Sequence, residues 1–234
     1  MKRLRAAAIF VLAGLALTPA GASNIYTVAY EGDTMPEQGG TWARHYYVGA
    51  TRTIETDGQG NNYLKLDSYN GWYIYDYYVH TRQISPSEPD ERFFAEWRVL
   101  ISAAHAYADH GLGVAADDGH TINYKYRVDA IWDAFDGWTA PIEPGVFHTY
   151  RIESANLVSY QLFVDGTLVR NALSFDGLGG GFAAFGDSAS GGQSGSTSVW
   201  DYVRFGVYEV PEPVSALLLA VVAVCACDRR RRGR

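Results

Sequence analysis

Apolar and polar residues alternate with a period of two in segment after segment of this chain, and no other feature constrains its fold as strongly. A period of two places alternate side chains on opposite faces of a β-strand. About a dozen such segments are separated by Gly, Asp, Asn and Pro, without the long helical stretches of a βαβ unit. The sequence therefore predicts an all-β fold, built as an antiparallel β-sandwich.

Residues 92–102 form the clearest of these segments. One side of the predicted strand is apolar and must face a core, and it consists of Phe93, Ala95, Trp97, Val99 and Ile101. The other side carries Phe94, Glu96, Arg98, Leu100 and Ser102.

Turn residues divide the segments. Asp165-Gly166 separates strands predicted over 160–164 and 167–169, and Asp-Gly favours a two-residue type I′ hairpin. We also predict one strand over 121–132. The Gly/Ser-rich residues 177–195 lack the alternation, so we expect a flexible surface loop there.

The N-terminus predicts export. Lys2, Arg3 and Arg5 precede a short apolar run over 6–17, and small residues lead to Ala22. This order is typical of a secretory signal peptide over residues 1–22, cleaved after Ala22. A retained N-terminal anchor is the alternative.

The C-terminus has three parts in order, which are Pro211-Glu212-Pro213, an apolar run over 214–227 and an arginine cluster. The cluster consists of Arg229, Arg230, Arg231 and Arg232. This tail, residues 210–234, resembles the PEP-CTERM sorting signal of Gram-negative bacteria.

That resemblance has several implications. An exosortase-type membrane protease would recognise the chain near Pro211-Glu212-Pro213. The run 214–227 would be held for a time in the inner membrane as a short apolar transmembrane helix, with the arginines on the cytoplasmic side. The protein would then reach the cell surface or an extracellular polysaccharide matrix.

The region between these ends, 23–209, is predicted to be one domain, because its composition does not change along its length. The only cysteines, Cys225 and Cys227, lie in the tail, so a core without disulfides must stabilise the domain.

A second resemblance concerns residues 90–208. It rests on Phe147–Ile152, on Tyr160–Gly166 and on Ser198–Arg204, which resemble the later strands of concanavalin A-like, laminin-G-like jelly rolls. The resemblance implies a β-sandwich whose concave sheet face binds the ligand.

If strands 92–102 and 121–132 share that face, their polar sides would form a mixed-charge floor beside several tyrosines. Aromatic rings stack on sugars and charged groups bond hydroxyls, so such a floor predicts a glycan site. Its residues would be Tyr73, Tyr75, Tyr77, Glu96, Arg98, Lys125, Arg127 and Asp129. The alternative is a set of solvated or mutually paired surface charges.

Charge and residue spacing exclude some classes of function. From 23 to 210 the chain has 11 Lys and Arg against 24 Asp and Glu, a balance that repels phosphate backbones and argues against nucleic-acid binding. The histidines show no zinc-type spacing, so we expect no metal or other cofactor. Calcium at Asp109, Asp117 and Asp118 is the one alternative.

We therefore expect a non-catalytic, exported surface or matrix protein that binds an extracellular polysaccharide. The jelly-roll glucanases carry a Glu-x-Asp-x-x-Glu strand, which is missing here. Asp129 and Asp133 come closest to the spacing of a catalytic acid pair, but Asp136-Gly137 indicates that the strand ends there, so we interpret them as strand-end and turn residues. A polysaccharide-degrading hydrolase or lyase is the first alternative. A purely structural or adhesive protein is the second.

Overall fold

The computed structural model describes residues 24–46, 49–69, 76–81, 85–104, 110–115, 119–177, 180–187 and 195–210. The chain from Ser23 to Val210 forms one compact unit. The predicted signal peptide and the sorting signal from residue 211 onward lie outside the described residues, so both stay predictions.

The described residues form sixteen strands and one turn of 3-10 helix, Pro36–Gly39. In chain order the strands are β1 (Asn24–Tyr30), β2 (Ala43–Tyr46), β3 (Thr51–Thr56), β4 (Asn62–Asp67), β5 (Asp76–Thr81), β6 (Glu91–Ala104), β7 (His110–Ala115), β8 (His120–Tyr126), β9 (Ala130–Asp133), β10 (Thr139–Pro141), β11 (His148–Ser154), β12 (Ser159–Val164), β13 (Thr167–Leu173), β14 (Phe175–Asp176), β15 (Phe182–Asp187) and β16 (Ser196–Glu209). Within this part of the chain, no helix has the length and apolar character needed to cross a membrane.

The strands form two eight-stranded sheets. Sheet A has the order β13-β12-β11-β6-β16-β4-β3, and β1 also pairs with β16. Sheet B has the order β10-β9-β8-β7-β15-β5-β2, and β14 also pairs with β8. Neighbouring strands in both sheets are antiparallel, so the predicted antiparallel β-sandwich is confirmed.

The core lies between the inner faces of the two sheets. The predicted inner side of β6 is buried, and Trp97 has no exposed surface. Trp97 of sheet A contacts Tyr126 of sheet B, with ring centroids 6.3 Å apart, and Phe185 of sheet B contacts Trp200 of sheet A at 5.0 Å. Large aromatic side chains therefore join the two layers.

The turn at Asp165-Gly166 has the predicted geometry. Both residues have positive φ, 50° and 76°, as a type I′ turn requires. The strand β11 pairs with β12, and the last strand, β16, pairs with the first. Two of the segments that carry the jelly-roll resemblance, Phe147–Ile152 and Tyr160–Gly166, thus lie on neighbouring strands of sheet A.

The single strand predicted over 121–132 is wrong. The chain turns after Tyr126, where the amide of Arg127 donates to the carbonyl of Ala130 at 2.7 Å. Strands β8 and β9 then pair as a hairpin, with Lys125 opposite Trp132. The turn changes the phase of the alternation, so Trp132 lies on the same face as Lys125.

The surface loop predicted over 177–195 is also wrong, because β15 lies within it, between β7 and β5 in sheet B. Phe185 and Ala183 of this strand are buried in the core. Gly186 has φ +116°, and a Cβ there would lie 2.6 Å from the carbonyl oxygen of Asp76. Gly186 therefore allows β15 to pack closely against β5. The Gly/Ser-rich composition of 177–195 resembles that of a loop, so it did not indicate this strand.

Candidate functional site

The predicted mixed-charge floor does not form, because its two strands belong to different sheets. Both β6 and β8 turn their apolar sides into the shared core. Their polar sides therefore point away from each other, with Glu96 on the outside of sheet A and Lys125 on the outside of sheet B. Tyr73 and Tyr75 lie outside the described residues.

On sheet A, Glu96 and Arg98 are engaged with neighbouring side chains. Arg151 Nη1 donates to Glu96 Oε2 at 3.0 Å, and Tyr202 Oη donates to Glu96 Oε1 at 3.2 Å. Arg98 forms an ion pair with Asp201. These contacts match the alternative of mutually paired surface charges, which contribute little to stability.

The remaining residues of the predicted site lie on sheet B or at its edge. Lys125 and Tyr77 lie on strands of this sheet, whereas Arg127 and Asp129 lie in the turn between β8 and β9. Asp129 is exposed, and its backbone carbonyl accepts a hydrogen bond from the amide of Ile142 at 2.9 Å.

One row of residues in register crosses the whole outer face of sheet B. Each pair of neighbours in the row is a Cα pair of the antiparallel ladder. From one edge to the other the row is Thr139, Trp132, Lys125, Gly111, Gly186, Tyr77 and His45.

The middle of this face carries almost no side chains. Gly111 and Gly186 occupy the centre of the row, and Gly113 and Ala184 pair beside them on the same two strands. We call this surface the glycine trough. Its floor is these four residues, of which Gly186 is buried and the other three are half-buried. Its cationic wall is Lys125, Arg127 and Trp132, and its aromatic wall is Tyr77 and His45. The walls are three strand spacings apart, which puts the Cα atoms of Lys125 and Tyr77 roughly 14 Å apart.

The cationic wall combines two positive charges with one indole ring. Lys125 Nζ lies 5.3 Å from the ring centroid of Trp132, and the guanidinium carbon of Arg127 lies 5.6 Å from it. Both distances are within the range of cation–π attraction. The ring therefore holds the two cations together at one side of the trough.

The aromatic wall is a stacked pair. The rings of His45 and Tyr77 are nearly parallel, with an interplanar angle of 9° and centroids 5.1 Å apart. His45 is exposed and Tyr77 is half-buried. An imidazole and a phenol side by side supply two groups that can accept or donate a proton.

The sequence pattern did not identify His45, Trp132 or the glycines. The spacing Gly111-x-Gly113 was the available signal, because residues two apart share one face of a strand and two glycines leave that face bare. An unbroken alternation over 121–132 would place Trp132 on the face opposite Lys125, and the turn after Tyr126 reverses that placement.

Carboxylates are missing from the strand residues that the structure describes on this outer face. Asp76, Asp133 and Asp187 lie on strands of sheet B, but all three are buried. Asp176, on β14 of the same sheet, is exposed and lies 3.0 Å from His120 Nδ1 at the edge of the sheet. Over the described ranges of the chain, no three His, Cys, Asp or Glu residues converge as metal ligands. Asp109, Asp117 and Asp118, the possible calcium ligands, are not among the described residues.

No protein-family model and no curated protein matches the sequence. The fold, however, is shared with solved structures. A carbohydrate esterase of the Shiga toxin-encoding bacteriophage phi24B has a TM-score of 0.57 and 10% identity, over 81% of this chain and 99% of the other. The cellulose-induced protein Cip1 has a TM-score of 0.52 and 11% identity, over 77% and 96%. A Shewanella oneidensis MR-1 protein of unknown function has a TM-score of 0.50 and 12% identity, over 81% and 89%.

Identities this low show a shared fold and no more. Two of these structures are carbohydrate-related by name, and one of those is an enzyme. The expectation of a non-catalytic protein is contradicted by this comparison, since it rested on a missing glucanase strand and the same sandwich occurs in a carbohydrate esterase.

Proposed function

We propose that this protein is an exported enzyme that binds an acidic polysaccharide along the glycine trough and cleaves it by β-elimination. The row from Trp132 to His45 carries the proposal. It has Lys125 near one end, with Arg127 of the adjoining turn close by, and the His45–Tyr77 pair at the other end.

The charge of the trough supports an acidic substrate. The domain as a whole is strongly negative, yet the described strand residues of this outer face contribute the cation Lys125 and no carboxylate. The adjoining turn adds one charge of each sign, Arg127 and the exposed Asp129. Lys125 and Arg127 would bond sugar carboxylates, and the Trp132 ring would contact the apolar face of a sugar.

The lack of carboxylates among the described strand residues of this outer face also favours elimination over hydrolysis. Most glycoside hydrolases need a pair of Asp or Glu residues beside the scissile bond. Elimination needs a base that removes the proton next to the sugar carboxylate and an acid that protonates the leaving oxygen. The glycosidic C–O bond breaks as a C=C bond forms in the sugar ring, and water is not consumed. His45 and Tyr77 are the groups of the trough that can serve as base and acid.

The two walls have different roles in this proposal. The scissile sugar lies over His45 and Tyr77, and the next sugars of the same chain lie over Gly186 and Gly111 and reach Lys125. The Cα atoms of Lys125 and Tyr77 are roughly 14 Å apart, and Lys125 Nζ lies near the Trp132 ring on β9, on the side away from Tyr77. Lys125 and Arg127 would therefore act through binding, and His45 and Tyr77 through the chemical step.

We further propose that the protein reaches its substrate by the export route that its ends predict. The signal peptide would direct it across the inner membrane, and an exosortase would process it near Pro211-Glu212-Pro213 for release to the cell surface or matrix. The mass of the protein from its native host, compared with the masses that cleavage after Ala22 and near Glu212 would give, tests this route.

The enzyme assay uses purified protein with acidic polysaccharides (alginate, polygalacturonate and hyaluronate) and with cellulose as a neutral one. We expect unsaturated sugar ends to appear together with new reducing ends in at least one acidic polymer. New reducing ends without unsaturated ends would show that the enzyme hydrolyses the polymer and does not eliminate. No product from any acidic polymer would overturn the proposal.

Variants locate the activity. Tyr77→Phe and His45→Ala should lower kcat with a small change in KM, whereas Lys125→Ala should mainly raise KM. Arg98→Ala is the matched control, because it removes a cation from the outer face of sheet A. If Arg98→Ala lowers activity as much as Lys125→Ala does, the substrate does not bind in the trough.

A further inference from the structure

A cleft of about 620 Å³ opens at one edge of the sandwich. It lies between β12 and β13 of sheet A and the ends of β8, β9 and β14 of sheet B, and it shares no residue with the glycine trough. Its volume is within the range of small-molecule sites. The side chains that matter for its chemistry are Asp133, Phe135, Asp136, Arg170, Asn171 and Phe175.

Arg170 forms a rigid polar base for this cleft. Its Nη1 donates to Asp133 Oδ2 at 3.0 Å, its Nη2 donates to Asp136, and its guanidinium carbon lies 4.7 Å from the ring centroid of Trp138. Its side chain is 10% exposed and that of Asp133 is 5% exposed. Arg170 is thus held in one position.

Two tyrosines extend the base into the core. Tyr160 Oη donates to Asp133 Oδ2 at 3.1 Å, and the hydroxyls of Tyr160 and Tyr124 are 2.8 Å apart. Burial raises the pKa of Tyr160 and raises the pKa of Tyr124 to about 12. Both hydroxyls therefore keep their protons at neutral pH, so the arrangement is stable under physiological conditions.

An aromatic pair forms the opposite wall. The rings of Phe135 and Phe175 are stacked, with centroids 4.4 Å apart and an angle of 9°. Each ring nevertheless remains exposed, at 40% and 49%, and Leu173 beside them is 73% exposed. Large exposed apolar groups around a concave site indicate a surface that a ligand covers.

The charge of the cleft selects against an acidic ligand. Two carboxylates, Asp133 and Asp136, face one guanidinium, Arg170, so the local balance is negative. The Asp136 side chain is 55% exposed and keeps lone pairs that can accept from hydroxyl groups. Asn171 accepts from Gln161 through Oδ1 at 3.1 Å, and its amide NH2 group can donate to other acceptors.

We propose that this cleft is a second carbohydrate site, which binds an uncharged sugar unit. The apolar face of the sugar would cover Phe135 and Phe175, and its hydroxyls would bond Asp136 and Asn171. The two sites would select opposite classes of glycan, acidic in the trough and neutral in the cleft. This proposal does not depend on catalysis in the trough.

The test is affinity electrophoresis of the purified protein in gels that contain xylan, mixed-linkage β-glucan or galactomannan. We expect at least one of these neutral polymers to retard the wild-type protein. Phe175→Ala should weaken that retention about tenfold, the scale of one lost aromatic contact. Asp136→Ala should weaken it as well. Retention of neither the wild-type protein nor its variants by any of these polymers would overturn the proposal.

Leu168→Ala is the matched control, because Leu168 is 45% exposed on β13 but does not line the cleft. It should leave retention unchanged, and an equal loss of retention in Leu168→Ala and Phe175→Ala would also overturn the proposal.

Lys125→Ala in the trough separates the two proposals. The Lys125→Ala variant should bind neutral polymers as the wild-type protein does. This expectation holds whether or not the protein cleaves an acidic polymer. If Lys125→Ala no longer binds neutral polymers, these polymers bind in the trough and not in the cleft.

Discussion

Gly186 of β15 lies directly opposite Gly111 of β7, so two adjacent central strands of sheet B lack a side chain at the same level of their outer face. Each glycine is also needed by the backbone. A Cβ on Gly111 would lie 1.7 Å from the carbonyl oxygen of Tyr124, and one on Gly186 would lie 2.6 Å from that of Asp76. The packing of the sheet and the bare floor of the trough therefore have the same cause.

Gly113 provides a direct test of the trough. It lies on the trough floor, but a Cβ there meets nothing within 4 Å. Gly113→Leu should keep the melting temperature and should reduce affinity for acidic polysaccharide at least about tenfold, because the new side chain fills the floor. Retention in polysaccharide gels and thermal unfolding measure the two effects. Wild-type affinity in a folded Gly113→Leu protein would place the binding surface elsewhere.

Gly111→Ala is the opposite case at the neighbouring floor position. The methyl group overlaps the backbone of Tyr124, so we expect a loss of about 3 kcal/mol or more in the free energy of unfolding. Urea unfolding measures it. A near-neutral result would mean that β7 and β8 can separate slightly without cost.

The sequence predicted what depends on local pattern. The alternation in β6 identified its buried side, and Asp165-Gly166 identified a turn whose two positive φ angles match the expected type. Both features involve residues close in the chain, and each has one physical cause. Which strands share a sheet depends on pairings between distant segments, which the alternation does not encode.

The sequence therefore predicted the placement of the candidate residues only in part. Lys125 and Tyr77 do lie on one face, but Glu96 and Arg98 lie across the core from them. Alternation shows that a residue points outward, and it does not show on which side of the sandwich. The strand β15 was missed for a different reason, since its glycines serve close packing and resemble the composition of a loop.

Trp97→Ala should cost about 3–5 kcal/mol of unfolding free energy. Trp97 is fully buried, and its ring stacks on Tyr150 at 5.6 Å. Urea denaturation at constant pH measures the loss. Trp97→Phe retains part of the contact and should lose less, and an equal loss in both variants would show that the indole shape is specifically required.

Arg170→Met should destabilise the domain by about 3–5 kcal/mol, because it leaves the carboxylate of Asp133 buried without its cation. The double variant Arg170→Met with Asp133→Asn removes both charges and should recover much of the loss. Urea unfolding of the two single variants and the double variant measures the coupling. Independent, additive losses would mean that the two side chains do not interact in solution.

Buried tyrosines should make the domain sensitive to alkali. Burial raises the pKa of Tyr78 and of Tyr124 to about 12, and it also raises the pKa of Tyr30 and Tyr150. In the unfolded chain these phenols ionise near pH 10, about two units lower than in the fold for Tyr78 and Tyr124. These tyrosines therefore stabilise the fold fully below pH ~10. Above pH ~10, each one lowers the free energy of unfolding by about 1.4 kcal/mol per pH unit until its folded pKa is reached.

Urea unfolding from neutral pH to pH ~11.5, with tyrosinate absorbance recorded in parallel, measures this decline. Tyr78→Phe should make the decline shallower, and a free energy that stays constant above pH ~10 would show that water reaches these hydroxyls in the folded protein.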